Sequence, residues 1–474
     1  MRNLKSEISI PKSVYFLGIG GIGMSALARY FASHGSKIAG YDRTETPLTE
    51  QLRKEGMKIH FTEDISQIPE DIELIVYTPA IPEAHKELQY FREHNFQLKK
   101  RAEALGMISS QYRTIAVAGT HGKTTTSTLI AHILQTAGVN YLAFLGGISK
   151  NYTSNYLTNL PTYQLTNLPT SLLTSFFCVV EADEYDKSFL QLNPEIAIIT
   201  SADADHLDIY GNHNDLLKTF SEFTGKIKAN GTLIMKEGTL VEPFLKNQYS
   251  VFGYIVKGEA AFSARNIRPA EGALKFDFIY PGGEIANMLL NVPGMFNLEN
   301  AVAALATGIT IGIGHDDLRK AMSSYQGVIR RFEFRVRQPN LVYIDDYAHH
   351  PEELRASIGA ARELYPDKKI TGIFQPHLYS RTRDLADEFA SSLELLDELL
   401  LMEIYPAREM PIEGVTAKLI LDKVRLKKKK IVRKEDLLEE IKNCKPEVLL
   451  TLGAGDIDQF VKPISDMLIN SDKI

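Results

Sequence analysis

The chain has 474 residues, a net charge of −6, 44% hydrophobic and 24% charged residues, and two cysteines. At roughly 100–200 residues per domain, that length predicts about three domains of ordinary globular composition. The negative balance gives no support for non-specific nucleic-acid binding, and two distant cysteines, Cys178 and Cys444, exclude a disulfide framework and fit buried thiols in a reducing compartment. The opening "MRNLKSEISIPKS" has no apolar core of signal-peptide length, and no run approaches the roughly 18 apolar residues of a membrane span, so a cytoplasmic protein is expected.

In chain order, short apolar runs alternate with longer helix-like stretches. "SVYFLGIG" (13–20) reads as a buried strand leading into "GIGGIG", which sets Gly18, Gly20 and Gly23 in G-x-G-x-x-G order. A helix follows with Met24, Leu27, Ala28 and Phe31 on its apolar side, then a strand, "KIAGYD", ending in Asp42. Glycines let backbone N–H groups approach a pyrophosphate, the helix N-terminus adds partial positive charge, and an acid about 20 residues on can accept from ribose hydroxyls. Alone, this loop reads as an NAD site and the chain as a dehydrogenase. A UDP-sugar presents the same diphosphate and ribose. "ELIVYTPA" (73–80) is the next strand, and the first block closes near residue 105.

The second block, 106–329, opens on "TIAVAGTHGKTTTSTLI". The general phosphate loop, G-x-x-x-x-G-K-[ST], fails here, because Val117 stands six residues before Lys123. The loop is the shorter G-x-x-G-K-T, Gly119 to Thr124. Backbone N–H groups from Gly119 to Lys123 can still cradle phosphates, Lys123 can reach β/γ oxygens, and Thr124 stands where a hydroxyl ligates Mg²⁺. Acids follow at two strand ends: Glu181, Asp183 and Glu184 in "FFCVVEADE" (176–184), and Asp203, Asp205, His206 and Asp208 in and after "IAIITSADADH" (196–206). Read by itself, the lysine loop also suits a nucleotide-dependent switch. "LTNLPT" occurs at 157–162 and again at 165–170, and its Asn, Thr and Pro predict an inserted surface loop with no chemistry.

The third block, 330–474, follows "GVIRRFEFR" (327–335). Its strands are "LVYIDDYAHH" (341–350), "ITGIFQPH" (370–377), "ELLLMEIY" (398–405) and "EVLLTLGAGD" (447–456). "RLKKKK" (425–430) reads as a solvated charged turn beside a strand. Near-continuous apolar strands with polar or glycine residues at their C-terminal ends predict an α/β protein with parallel sheets and ligands at those ends.

"GTHGKTTT", "EADE", the "DH" at 205–206, "NVPGMFNLENA" (291–301), "RRFE" (330–333), "DDYAHHP" (345–351), "FQPHLYSRTRD" (374–384) and "LGAGD" (452–456) occur in this order. Together they resemble the Mur ligases, the ATP-dependent amino-acid ligases of peptidoglycan synthesis. Within that family, "GIGGIGMS", "DDYAHHP" and "FQPH" most resemble the branch that adds L-alanine to UDP-N-acetylmuramate. The neighbouring branch, which recycles murein tripeptide onto the same acceptor, is the close alternative.

The resemblance implies a Rossmann-like first domain (1–105) that holds UDP-N-acetylmuramate, a phosphate-loop ATPase-like second (106–329) that holds MgATP, and a Rossmann-like third (330–474) that brings the amino acid. It places Gly18, Gly20, Gly21, Gly23, Met24, Ser25 and Asp42 on the UDP-sugar. ATP would lie on Gly119, Thr120, His121, Gly122, Lys123, Thr124 and Thr125, with Asn297, Asn300, Arg331 and Asp346. Thr124, Glu181 and His206 would serve Mg²⁺, and Tyr347, His349, His377 and Arg381 the amino acid. Lys123, His206 and Arg381 are the expected catalytic groups. Some relatives carry arginine directly after the histidine of "FQPH", where Leu378 stands here, so Arg381 is expected to carry more of the carboxylate clamp. The resemblance leaves the oligomeric state open, a homodimer included.

Overall fold

The computed structural model describes residues 10–160, 175–205, 207–245, 247–270, 272–407 and 409–471. Their strands form three sheets. The first holds β1 (Ser13–Leu17), β2 (Lys37–Tyr41), β3 (Lys58–His60), β4 (Leu74–Tyr77) and β5 (Leu98–Lys100), in order β3-β2-β1-β4-β5 and parallel throughout. β1 is buried at every position, as its unbroken apolar run requires.

The second sheet holds β6 (Arg113–Ala118), β7 (Tyr141–Ser149), β8 (Ser154–Thr158), β9 (Phe177–Ala182), β10 (Ile196–Ile199), β11 (Thr232–Lys236), β12 (Ser250–Ile255), β13 (Phe262–Ala270), β14 (Ala273–Tyr280) and β15 (Gly283–Leu290). Its order is β15-β14-β13-β12-β11-β10-β6-β9-β7-β8. β6 runs parallel to both neighbours, β9 and β10, and β9 is parallel to β7, so the loops after these strands meet at one edge.

The third sheet holds β16 (Glu333–Arg337), β17 (Val342–Asp346), β18 (Ile370–Phe374), β19 (Glu398–Leu401), β20 (Lys429–Ile431) and β21 (Val448–Leu452), ordered β16-β17-β21-β18-β19-β20. Only β16 is antiparallel to its neighbour. Alternate residues of one strand enter opposite cores: Val342 and Ile344 pack with Phe374, Leu399 and Leu450, while Tyr343 packs with Ile373, Leu400 and Leu449.

The described residues fall into two compact units. One draws on Met1–Arg268, Lys275–Asn291 and Leu298–Gln326, the other on Pro269–Leu274, Val292–Asn297 and Gly327–Ile474. Within the first unit, the Ile22–Ser33 helix joins the cores of the first two sheets. Tyr30 lies 5.6 Å from the Phe144 ring and 6.0 Å from the Tyr156 ring.

One expectation is corrected here. The segment read as an inserted loop begins as strand, with Ala143 opposite Leu157 and Leu142 opposite Thr158 in an antiparallel pair. Asn155, Tyr156 and Leu157 are buried in succession, and Asn155 is fully buried. The Asn155 amide donates to the Ile22 carbonyl (2.6 Å) and to Ser25 Oγ (2.9 Å), and its oxygen accepts from Arg29. The second "LTNLPT" copy, at 165–170, lies outside the described residues. In "RLKKKK", Lys429 and Lys430 enter β20 and Lys430 pairs with Glu440, while Arg425 is exposed. Cys178 and Cys444 are free and buried, as expected. Among the described residues no helix is long and apolar enough to cross a membrane.

His132, in the Lys123–Thr136 helix, is buried between Tyr152 Oη (2.6 Å) and Ser324 Oγ (2.9 Å). Burial pushes its pKa down to about 4. The unfolded chain takes a proton near pH 6.5 that the folded ring refuses, so stability is lost as pH falls from there towards 4, by on the order of 2–3 kcal/mol. A His132→Gln variant should show a flatter fall in Tm between pH 6.5 and 4.5 than the wild type. Parallel profiles would remove His132 from the acid response.

Candidate active site

The loop after β6 is built by its glycines. Gly119 has φ +140°, and a Cβ there would stand 2.1 Å from Thr200 Oγ1. Gly122 has φ +82°, and a Cβ would stand 2.5 Å from Asn300 Oδ1. Only glycine permits this backbone and this contact. From the far side, Ser201 Oγ accepts from the His121 N–H (2.7 Å), and Asp203 N–H donates to Thr120 Oγ1 (3.1 Å). Asn300 also accepts from Thr126 Oγ1 (3.1 Å). The Lys123–Thr136 helix opens without a side-chain cap and without an acid in its first turn, so its N-terminal N–H groups suit an anion.

Lys123 leans back over this loop. Its Nζ donates to the Gly119 carbonyl (2.5 Å) and to both Glu184 oxygens (2.9 and 2.8 Å). Burial opposes the ammonium charge, but Glu184, Asp183 and Glu181 outweigh it and hold Lys123 above its ordinary pKa. Burial pushes the Glu184 carboxyl up although the Lys123 ammonium pulls it down. Beside them, Thr124 Oγ1 donates to Glu181 Oε1 (3.1 Å), and Gly146 N–H holds the other Glu181 oxygen (2.8 Å). A threonine hydroxyl and a fixed carboxylate at a phosphate-ready helix end are hard oxygen donors of the kind Mg²⁺ takes beside phosphates and water. Among the described residues no group of three or more His, Cys, Asp or Glu converges as a metal cage. His206 and the side chain of Asp208 lie outside the described residues. His121 lies 3.6 Å from Asp203.

The loop after β1 has the same character. A Cβ at Gly18 (φ +87°) would meet Thr78 at 2.6 Å, and the Ile22–Ser33 helix behind it also lacks a side-chain cap and a first-turn acid. Met24 and Ser25 are buried in its first turns. Asp42 does more than await a ribose: Oδ2 accepts from Gly20 N–H (2.8 Å) and Oδ1 from Thr44 N–H (3.2 Å), which fixes the loop.

In the other unit, the residues expected to meet the amino acid and part of the ATP gather at the C-terminal ends of the third sheet. Asp346 ends β17, and burial pushes its pKa up to about 6 against the pull of Arg331. Arg331 lies 5.0 Å over the Tyr347 ring and 3.8 Å from Glu353. His349 Nδ1 lies 3.1 Å from Glu353 and 5.7 Å, ring to ring, from His377. Arg381 is buried in the Tyr379–Asp384 helix. Leu378, before that helix, has φ +73°, a conformation unfavourable for leucine. Asn297 donates to the Pro293 carbonyl (2.7 Å). Sequence reasoning passed over Tyr405, which stacks on His377 at 5.9 Å and gives its carbonyl to Leu378 N–H. It also passed over the Glu184–Lys123 pairing and the Thr200–Ser201 wall. All three lie within quoted strand ends, where a role for the first residues past each strand was the available signal.

Residues 13–113, 117–308 and 330–455 match, in that order, the Mur ligase family catalytic domain, the Mur ligase middle domain and the Mur ligase glutamate ligase domain. A UDP-N-acetylmuramate–L-alanine ligase of Parabacteroides distasonis is 48% identical over 467 residues, spanning 98% of both chains. The chain belongs to the Mur ligase family. A Porphyromonas gingivalis protein of the same name is 49% identical over 464 residues, covering 96% of this Mur ligase and 99% of that protein. The crystal structure of the UDP-N-acetylmuramate–alanine ligase of Thermotoga maritima matches with a TM-score of 0.81 and 28% identity, covering 97% of this chain and 99% of that one. A murein peptide ligase of Psychrobacter arcticus shares the fold, with a TM-score of 0.70 and 22% identity over 97% and 99% of the two chains.

Proposed function

We propose that this Mur ligase joins L-alanine to the lactyl carboxylate of UDP-N-acetylmuramate at the expense of ATP, a cytoplasmic step in peptidoglycan precursor synthesis. The observation that carries this reading is 48% identity across 98% of both chains to a relative named for that reaction. The loop Gly18–Gly23 takes the uridine diphosphate, with Met24, Ser25 and Asp42. The loop Gly119–Thr125 takes the ATP phosphates on its N–H groups. Incoming phosphate displaces Glu184 from Lys123, whose ammonium then neutralises charge on the transferring group. Thr124 and Glu181 fit Mg²⁺, which when bound supplies further charge neutralisation at the phosphates. The lactyl carboxylate attacks the γ-phosphorus, giving an acyl phosphate and ADP. The amine of L-alanine then attacks the acyl carbon, and inorganic phosphate leaves as the amide forms. Asn297, Asn300, Arg331 and Asp346 serve ATP, and Tyr347, His349, His377 and Arg381 the amino acid.

Arg381 carries the clamp on the alanine carboxylate, since Leu378 offers no charge. Arg381→Ala should therefore raise the KM for L-alanine by about tenfold or more while the KM for ATP changes little. An unchanged alanine KM would take Arg381 out of the clamp. The reading as a whole is tested by offering L-alanine, glycine, L-serine and the murein tripeptide, each with ATP and UDP-N-acetylmuramate, and scoring phosphate release and product mass. L-Alanine should give the highest kcat/KM. Preference for the tripeptide would replace this reading with the recycling ligase.

A further inference from the structure

Arg101 belongs to no motif, yet it stands between the two loops. It opens the Arg101–Ser109 helix, directly after β5, and that helix is wedged against the second sheet's connections. A Cβ at Gly106 would stand 2.7 Å from the Gln191 carbonyl, so the helix is seated at the closest approach its glycine allows. Its first residue is thereby fixed. The Arg101 guanidinium lies against the first loop: a Cβ at Gly23 would stand 2.7 Å from Nη1 and 3.2 Å from Cδ. Its Nη2 donates to Asp183 Oδ2 at 2.8 Å, and both side chains are partly exposed, at 23% and 33%. Asp183 sits between Glu181, which meets Thr124, and Glu184, which meets Lys123.

A cation at the N-terminal end of the Ile22–Ser33 helix opposes that helix's dipole, and no acid in its first turn compensates it there. The charge that balances Arg101 comes instead from the acid cluster behind the lysine loop. We propose that Arg101 is a positioning residue that couples the two loops: an anionic oxygen of the substrate at the first loop takes the guanidinium from Asp183. Arginine suits this exchange, because its planar fork can hold phosphate and carboxylate through different N–H groups in turn. The freed Asp183 then adds its charge to the cluster that faces Lys123, which favours cations at the second loop. By reciprocity, the diphosphate at the first loop and a cation at the second assist one another's binding. This rests on the assignment of the first loop to a uridine diphosphate.

Calorimetric titration of UDP into the full-length chain, without ATP or metal, tests the coupling. Arg101→Ala should weaken UDP binding by about tenfold, and Arg101→Lys should recover part of the loss. Asp183→Asn, which removes the competing anion, should bind UDP at least as tightly as the wild type. In turnover, Arg101→Ala should raise the KM for UDP-N-acetylmuramate well beyond that for ATP. If Arg101 merely staples the segments together, Arg101→Ala and Asp183→Asn weaken UDP binding alike, and the proposal falls. It falls equally if Arg101→Ala binds UDP as the wild type does. Should Arg101→Ala not fold, Arg101→Lys and Asp183→Asn separate the same outcomes: coupling weakens UDP binding only in the first, and stapling weakens it in both. A wild-type chain that does not bind UDP overturns the assignment of the first loop itself, and the coupling with it.

Discussion

Lys123→Ala should lower kcat by about 10³-fold or more, with UDP binding within about twofold of wild type. The ammonium is seated on the loop, 2.5 Å from the Gly119 carbonyl. Anionic carboxylate attacking anionic phosphate needs that charge in place before the transition state. The substitution also removes the ammonium that meets Glu184, which is 1% exposed. Losing one member of a buried charge pair costs about 3–5 kcal/mol unless the remaining carboxylate takes up a proton, which burial already favours at Glu184. The double variant Lys123→Ala, Glu184→Gln should therefore recover stability and recover no activity. Activity within tenfold of wild type in either variant would remove Lys123 from the chemistry. Loss of UDP binding together with turnover would argue against separate nucleotide sites.

Gly119→Ala should raise the ATP KM by at least about tenfold and lower Tm by several degrees. Two effects add. At φ +140° an L-residue is strained by on the order of 1–3 kcal/mol. The new methyl would also meet Thr200 Oγ1 at 2.1 Å and the backbone of Ser201 at 2.9 Å. Thr200 cannot swing away freely, because its hydroxyl bonds the carbonyls of Ala118 and His121. Gly138, at the far end of the same helix, provides the control. It has φ +66° with nothing within 4 Å of a Cβ, so Gly138→Ala should cost only about 1 kcal/mol and leave the ATP KM unchanged. Equal effects at the two positions would mean that the close wall of Thr200 and Ser201 does not shape the loop.

The parallel strands were legible because burial on both faces leaves them almost wholly apolar: Val14–Leu17, Ile115–Ala118 and Val448–Leu452 are such runs. The two glycine loops were legible because their backbone geometry excludes other residues. What stayed hidden depends on contacts across the sequence. The end of β8, Leu157 and Thr158, was taken for loop because the Asn, Thr and Pro of "LTNLPT" favour turns. Asp42 matched a ribose-binding position, and no pattern tells that its carboxylate already holds Gly20. "EADE" announced a cation site without saying that its last member, Glu184, would face Lys123 across 61 positions of chain. Arg101 belongs to no phosphate motif, and its ion pair with Asp183 exists only once the first two sheets are packed together.

The two loops are read as two substrates of one reaction, and phosphate release measures that most directly. With ATP and Mg²⁺ present, inorganic phosphate should appear at full rate only when UDP-N-acetylmuramate and L-alanine are both added, and should fall to background when either is left out. Release at the same rate without the UDP-sugar or without the amino acid would contradict the account and make the lysine loop an independent nucleotide switch.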